Sequence, residues 1–225
     1  MRRPLVKFCG FRTAAEVQDA VQIGCDLIGL NFYPRSPRAV SVEEAIELAD
    51  VARRAASERQ REEPLRVVAL FVNAEQDLIR EVIAQVQPDL IQFHGDESAK
   101  ACASHGTPYL KAFRLRHPED CEQISDYMGA LAWGFLIDGY TDSARGGTGV
   151  QVPMTLARHA LDRDRGFLAG GLHADNVGHA IRSLSPFGVD VASGVEDTDG
   201  KKCPRRMAAF MRAVDVAVST PHGFG

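Results

Sequence analysis

Short runs rich in Val, Ile, Leu and Phe recur along the chain, each followed by a turn signal and a stretch of helical periodicity. The runs are LVKFC (5–9), LIGLNFY (27–33), RVVALFVN (66–73), LIQFH (90–94), YLKAFR (109–114), GFLID (134–138), GFLAG (166–170) and GVDVAS (188–193). After them come TAAEVQDAVQIG, SVEEAIELADVARRAA, AEQDLIREVIAQV, DESAKACASHG, PEDCEQISDYM, PMTLARHALD, HADNVGHAIRSL and PRRMAAFMRAVDVAV, the helical candidates. Thr13 with Glu16, and Ser41 with Glu44, have the spacing of capping boxes. Eight alternating units in 225 residues, about 28 residues each, predict an α/β fold: a closed parallel (β/α)8 TIM barrel ringed by helices. A doubly wound open sheet is the alternative.

The pattern leaves room for one domain spanning residues 1–225, with 219–225 as a frayed tail because STPHGFG has turn formers and no periodicity. RRAASERQREEP (53–64) is a charge run that lengthens the second connection and reads as a solvated helix end.

Within the strands the polar positions are not random. Side chains alternate along a strand, so Leu5, Lys7 and Cys9 share one face, and Val6 and Phe8 the other. Strands of parallel sheets are usually near-continuous apolar runs. Here the C-terminal, inward positions carry Lys7 and Cys9, Asn31, Gln92 and His94, Asp138, and Asp190. In a barrel those ends form the active-site face. Taken singly, Cys9 reads as a small buried hydrophobe and His94 as a hydrogen-bonded core residue. An unpartnered carboxylate at Asp138 is costly to bury and asks for a role.

Glycines add a second signal. Gly170 and Gly171 follow the seventh strand, and Ser193 and Gly194 follow the eighth, the two loops that in such barrels often bind phosphate through backbone N–H groups. ARGGTGV (144–150) reads as a lid in preference to a plain long turn. In NFYPRSPRAVS (31–41) two prolines stiffen a loop that offers Arg35 and Arg38 to an anion.

Composition narrows the class. A net charge of −4 and a pI near 6.0 give no basic excess for a nucleic-acid binder, which favours small-molecule chemistry. No apolar run approaches the roughly 18 residues of a membrane span, and MRRPLVKF lacks a signal-peptide core. A soluble, cytoplasmic protein without membrane or nucleic-acid partners is expected. Five scattered cysteines with no CxxC pair argue against a disulfide framework and a zinc site, so no metal is expected.

The chain resembles the phosphoribosylanthranilate isomerase family of tryptophan biosynthesis. The resemblance is carried in order by VKFCG, LIGLNFYPRSPRAVS, ALFVN, IQFHGDE, KAFR, LIDGY, GGTG, LAGGLHADNV and GVDVASGVEDTDGKK. It implies the Amadori rearrangement of N-(5-phosphoribosyl)anthranilate, a phosphorylated small-molecule substrate, without a cofactor. It also implies Cys9 as general base, Asp138 as general acid and Arg38 as holder of the anthranilate carboxylate. Lys7, Gln92, His94 and Asp190 are then expected to contact substrate, and Gly170, Gly171, Ser193 and Gly194 to bind its phosphate. Lys7 has two readings: stabilising a Cys9 thiolate, or pairing with a carboxylate such as Asp190. The chain departs from the family pattern at Phe11, Val150 and Cys203. Competing readings are another barrel sugar-phosphate isomerase and a non-catalytic barrel descendant. Monomer and homodimer both remain open.

Overall fold

A computed structural model describes residues 2–59, 64–139 and 153–219. Its strands are β1 (Leu5–Cys9), β2 (Leu27–Asn31), β3 (Arg66–Phe71), β4 (Leu90–Phe93), β5 (Tyr109–Phe113), β6 (Ala132–Ile137), β7 (Gly166–Leu168) and β8 (Gly188–Val191). All neighbours pair in parallel, and β8 returns to β1 with Leu5 opposite Gly188 and Lys7 opposite Asp190. The sheet is closed, which excludes the open doubly wound arrangement. Helices α1 (Ala14–Ile23), α2 (Val42–Ser57), α3 (Gln76–Val86), α4 (Ala99–Ala103), α5 (Pro118–Glu122), α6 (Ile124–Tyr127), α7 (Met154–Leu161), α8 (Ala174–Leu184) and α9 (Pro204–Ser219) connect the strands or follow the last.

Both anticipated capping boxes form. The Thr13 hydroxyl accepts from the Glu16 N–H at 3.3 Å and the Ser41 hydroxyl from the Glu44 N–H at 3.2 Å, while each glutamate accepts from its N-cap backbone. Strand alternation then divides the core in two. Outward residues such as Val6, Phe8, Ile28, Leu30 and Phe71 pack with the helices, whereas Leu27, Val68, Leu90, Leu110, Leu136 and Phe167 fill the barrel. Trp133, Phe167 and Phe187 stack edge-on or tilted at 5.7–5.8 Å, and with Leu5 they close the N-terminal end of the interior. The polar strand residues are therefore confined to the other mouth.

Boundaries differ from the expected ones in instructive places. The sequence runs extend one or two residues past the C-terminal end of every strand but β1, where single backbone bonds to the neighbouring strand continue, as from the His94 N–H to the Phe71 carbonyl. β6 starts two residues early, where the β5–β6 register shifts between Tyr109 and Leu110. The helix expected over PEDCEQISDYM is two short pieces, since only Cys121 and Ile124 are buried there, too few to hold a longer helix against the sheet. Ser219, assigned to a frayed tail, instead ends α9, and 220–225 lie outside the described residues. The charge run, which starts inside α2 at Arg53, is not simply solvated. Arg53 donates to the carbonyls of Val86 and Gln87 at 2.8 and 2.6 Å, and Arg59 to those of Val21 and Gln22, so both serve the C-terminal ends of neighbouring helices. Residues 60–63 of that run lie outside the described residues. Among the described residues no helix is long and apolar enough to cross a membrane.

Candidate active site

The first strand sets the electrostatics. Lys7 is fully buried, and its Nζ donates to Asp190 Oδ1 at 3.0 Å across the β1–β8 seam. Burial works against the ammonium, but the Asp190 carboxylate and the nearby Cys9 more than offset it, and the Lys7 pKa ends above its ordinary value. Cys9, two residues on, is also buried. Burial pushes its thiol pKa up, and the opposing pull of Lys7 does not cancel the rise. Of the two readings of Lys7, the structure shows the pairing with Asp190. Lys7 also acts on the Cys9 sulfur, through its charge and a hydrogen bond that both lower the thiol pKa, and burial still keeps the resting group a thiol.

On the opposite wall a second chain of contacts runs through β4 and β6. The Gln92 side-chain amide donates to His94 Nδ1 at 2.9 Å, which leaves the hydrogen on Nε2, and Nε2 donates to Asp138 Oδ2 at 3.1 Å. Asp138 sits just past β6, fixed by its own N–H donating to the Phe113 carbonyl at 3.0 Å. The His94 hydrogen bond is the largest influence on Asp138. It outweighs burial and holds the carboxyl below its ordinary pKa, with the charge of Arg114 acting in the same direction. The resting group is a carboxylate. Gln92 Oε1 is buried and, among the described residues, has no hydrogen-bond partner.

Cys9, Arg38, Gln92, His94, Asp138, Asp190, Gly170, Gly171 and Ser193 line one cavity of about 280 Å³ at the C-terminal mouth. Lys7, expected to contact substrate, is fully buried behind Asp190 and does not line the cavity. Gly194 is off its wall, but a Cβ there would come within 1.9 Å of the Leu172 carbonyl oxygen, so the loops after β7 and β8 meet backbone to backbone. Arg35 is exposed and lines neither this cavity nor its neighbour. That neighbour, about 840 Å³, shares Asn31, Leu70 and His94 with the first and reaches along β5 to Arg114 and Tyr127. ARGGTGV, read as a lid, lies outside the described residues, as does Val150.

Several residues bearing on the site were not anticipated. Glu196 accepts from Arg38 Nε and Nη2 at 2.6 Å each, and Lys202 Nζ donates to the same carboxylate at 2.5 Å. Glu97 accepts from the N–H groups of Asn73 and Gly95 and from Lys111 Nζ at 2.7, 2.9 and 3.1 Å, tying down the loop that follows His94. Glu196 and Lys202 stand in the VASGVE and GKK stretches, and Lys111 opens KAFR, so their positions were visible although their partners were not. Of the departures, Phe11 is fully buried, with Lys202 Nζ 6.0 Å from its ring centroid. The Cys203 N–H donates to the Val195 carbonyl at 2.8 Å.

Residues 6–213 match the family model described as N-(5'phosphoribosyl)anthranilate (PRA) isomerase. The N-(5'-phosphoribosyl)anthranilate isomerase of Nitrosococcus oceani is 38% identical over 221 residues, covering 95% of this chain and 98% of the relative. Among solved structures, phosphoribosyl anthranilate isomerase from Thermotoga maritima superposes with a TM-score of 0.79 at 30% identity, covering 95% and 99% of the two chains. A phosphoribosyl anthranilate isomerase in complex with reduced 1-(o-carboxyphenylamino)-1-deoxyribulose 5-phosphate gives 0.77 at 29% identity, with the same coverage. Matched by the family model over residues 6–213 and closed into the same barrel, the chain belongs to the N-(5'-phosphoribosyl)anthranilate isomerase family.

Proposed function

We propose that the protein converts N-(5-phosphoribosyl)anthranilate to 1-(2-carboxyphenylamino)-1-deoxyribulose 5-phosphate, with Asp138 as general acid and Cys9 as general base. The observation that carries the assignment is the placement of these two groups on one cavity, beside the paired loops after β7 and β8. In the reaction, Asp138 protonates the furanose ring oxygen as the C1–O bond breaks, and the aryl nitrogen lone pair forms the iminium. Cys9 removes the acidified C2 proton to give an enolamine, which tautomerises to the ketone. Backbone N–H groups of the Gly170–Gly171 and Ser193–Gly194 segments hold the phosphate, Arg38 the carboxylate, and the unpartnered Gln92 Oε1 accepts a sugar hydroxyl. His94 and Asp190 complete the polar wall. The 840 Å³ neighbour gives the aryl ring room. The test is turnover: freshly generated phosphoribosylanthranilate loses its anthranilate-type fluorescence when the purified protein is added, and no loss at high enzyme concentration refutes the assignment.

The resting protonation adds a pH prediction. The reaction needs a thiolate and a protonated carboxyl, whereas the free enzyme holds a thiol and a carboxylate. Both forms carry one proton and differ only in its site, so their ratio does not change with pH. Below the depressed Asp138 pKa both groups are protonated and the base is lost. Above the raised Cys9 pKa both are deprotonated and the acid is lost. A plateau of kcat/KM therefore spans neutrality, with Asp138 setting the acidic limb and Cys9 the basic one. Substrate entry that parts His94 from Asp138 removes the main cause of the low carboxyl pKa and moves the proton toward its working site. Accordingly His94→Leu shifts the acidic limb to higher pH and leaves the basic limb in place. An unmoved acidic limb would remove Asp138 from it.

A further inference from the structure

Arg38 is gripped from three directions. Its loop is stapled by Ser36, whose Oγ accepts from the Arg38 N–H and from Asn31 Nδ2, both at 3.1 Å. Its stem crosses Gly10, the residue after Cys9. A Cβ there would lie 2.3 Å from Arg38 Cδ, and Gly10 has φ +86°, so only glycine lets the stem pass. Its head is forked by Glu196 through Nε and Nη2.

We infer that Glu196 and Lys202 are positioning residues that ready Arg38 for a carboxylate, and that they thereby set a preference for substrates bearing one; this rests on the reading of Arg38 given above. A guanidinium has five N–H bonds. Glu196 takes one from Nε and one from Nη2, along the side edge. Of the three that remain, one on Nη1 and the second on Nη2 form the end edge that matches a carboxylate in two-point geometry, and the other Nη1–H points back toward the stem. With a quarter of the Arg38 side chain exposed and the residue on the cavity wall, that edge is open to a ligand.

Charge completes the case. Glu196 alone would neutralise Arg38. Lys202, with only 1% of its side chain exposed, supplies a second cation, and its Nζ also donates to the Ala192 carbonyl at 3.1 Å. Two cations on one carboxylate leave the buried cluster with one net positive charge, presented beside Cys9. The pair would also satisfy a buried carboxylate in a purely structural role, so the test must read something that role would not move.

That readout is the ratio of dissociation constants for two inert ribitol 5-phosphates, one bearing a 2-carboxyphenylamino group and one bearing phenylamino, measured by titration calorimetry. Wild-type protein favours the carboxylated ligand. Glu196→Gln, which loses the two-point hold on Arg38 although it leaves more positive charge, and Lys202→Met, which cancels the net charge, each reduce the preference about tenfold or more, the scale of a charge-assisted hydrogen bond, while phenylamino binding changes by less than about threefold. If Arg38→Met abolishes the preference and the other two variants keep it, the inference fails and the Arg38 reading stands. If Arg38→Met keeps the preference, the Arg38 reading fails and the inference falls with it. Should Glu196→Gln not fold, Lys202→Met carries the test, since it exchanges a buried ammonium for an apolar side chain of similar length.

Discussion

Replacing Cys9 with alanine lowers kcat by roughly 10² or more, the scale of losing a general base, while the barrel stays folded. The fold survives because the change deletes one sulfur from a cavity wall and leaves the β1 ladder untouched. Asp138→Asn has an effect of the same order for a different reason. The amide oxygen still accepts the His94 hydrogen bond, so geometry is kept, but no proton can be given to the ring oxygen. The two variants are compared at saturating substrate, with circular dichroism and melting curves as the control for folding. Near-normal turnover in either folded variant removes that residue from the mechanism. Chemical labelling can support the assignment only in a suitable background. Cys25, Cys102 and Cys121 are buried, and burial raises the Cys102 pKa to about 12, but Cys203 is partly exposed and competes for a thiol reagent. A Cys203→Ser background leaves Cys9 as the cysteine facing the cavity.

Lys7→Met is expected to cost about 3–5 kcal/mol of stability, the range for breaking a buried ion pair from one side. The ammonium has no exposed surface, and removing it strands the Asp190 carboxylate in the barrel. The companion variant Lys7→Met with Asp190→Leu replaces both charges by apolar groups and recovers much of the loss, as seen for buried pairs in general. Denaturant unfolding of wild type and the variants measures both values. Equal stability of Lys7→Met and wild type would mean that the pair does not hold the seam. Activity separates the two consequences of the change: the double variant regains stability but not turnover, because Lys7 pulls the Cys9 thiol down and its loss pushes that pKa higher still.

The strands were readable to within a residue or two at most ends because parallel strands buried on both faces make continuous apolar runs, and a polar residue interrupting one is conspicuous. Lys7, Gln92, His94 and Asp190 stood out for that reason. Their partners were not readable, because partnership is set by closure: Lys7 meets Asp190 only when β1 reaches β8, 183 residues away. Arg38 and Glu196 are likewise 158 residues apart. Nor could Cys9 and Asp138 be assigned their resting protonation from residue type. That depends on how deeply the thiol is buried and on one hydrogen bond from His94, both properties of the folded barrel. The helix over PEDCEQISDYM failed for the opposite reason, since a locally plausible pattern had too little apolar surface to be held.

The β1–β8 seam has a consequence for how the enzyme comes into being. Translation delivers Cys9, Arg38, His94 and Asp138 well before Asp190, Glu196 and Lys202. Joining the two ends closes a loop of nearly the whole chain, an entropic cost offset only by contacts at the seam itself. Until β8 docks, Lys7 lacks its counter-charge, Arg38 lacks its fork, and Glu16 at the head of α1 lacks the Lys202 N–H that it accepts at 2.9 Å. Catalytic competence thus awaits the docking of β8 and the segment after it, and during refolding the return of turnover is expected to lag behind the return of helix and strand signal.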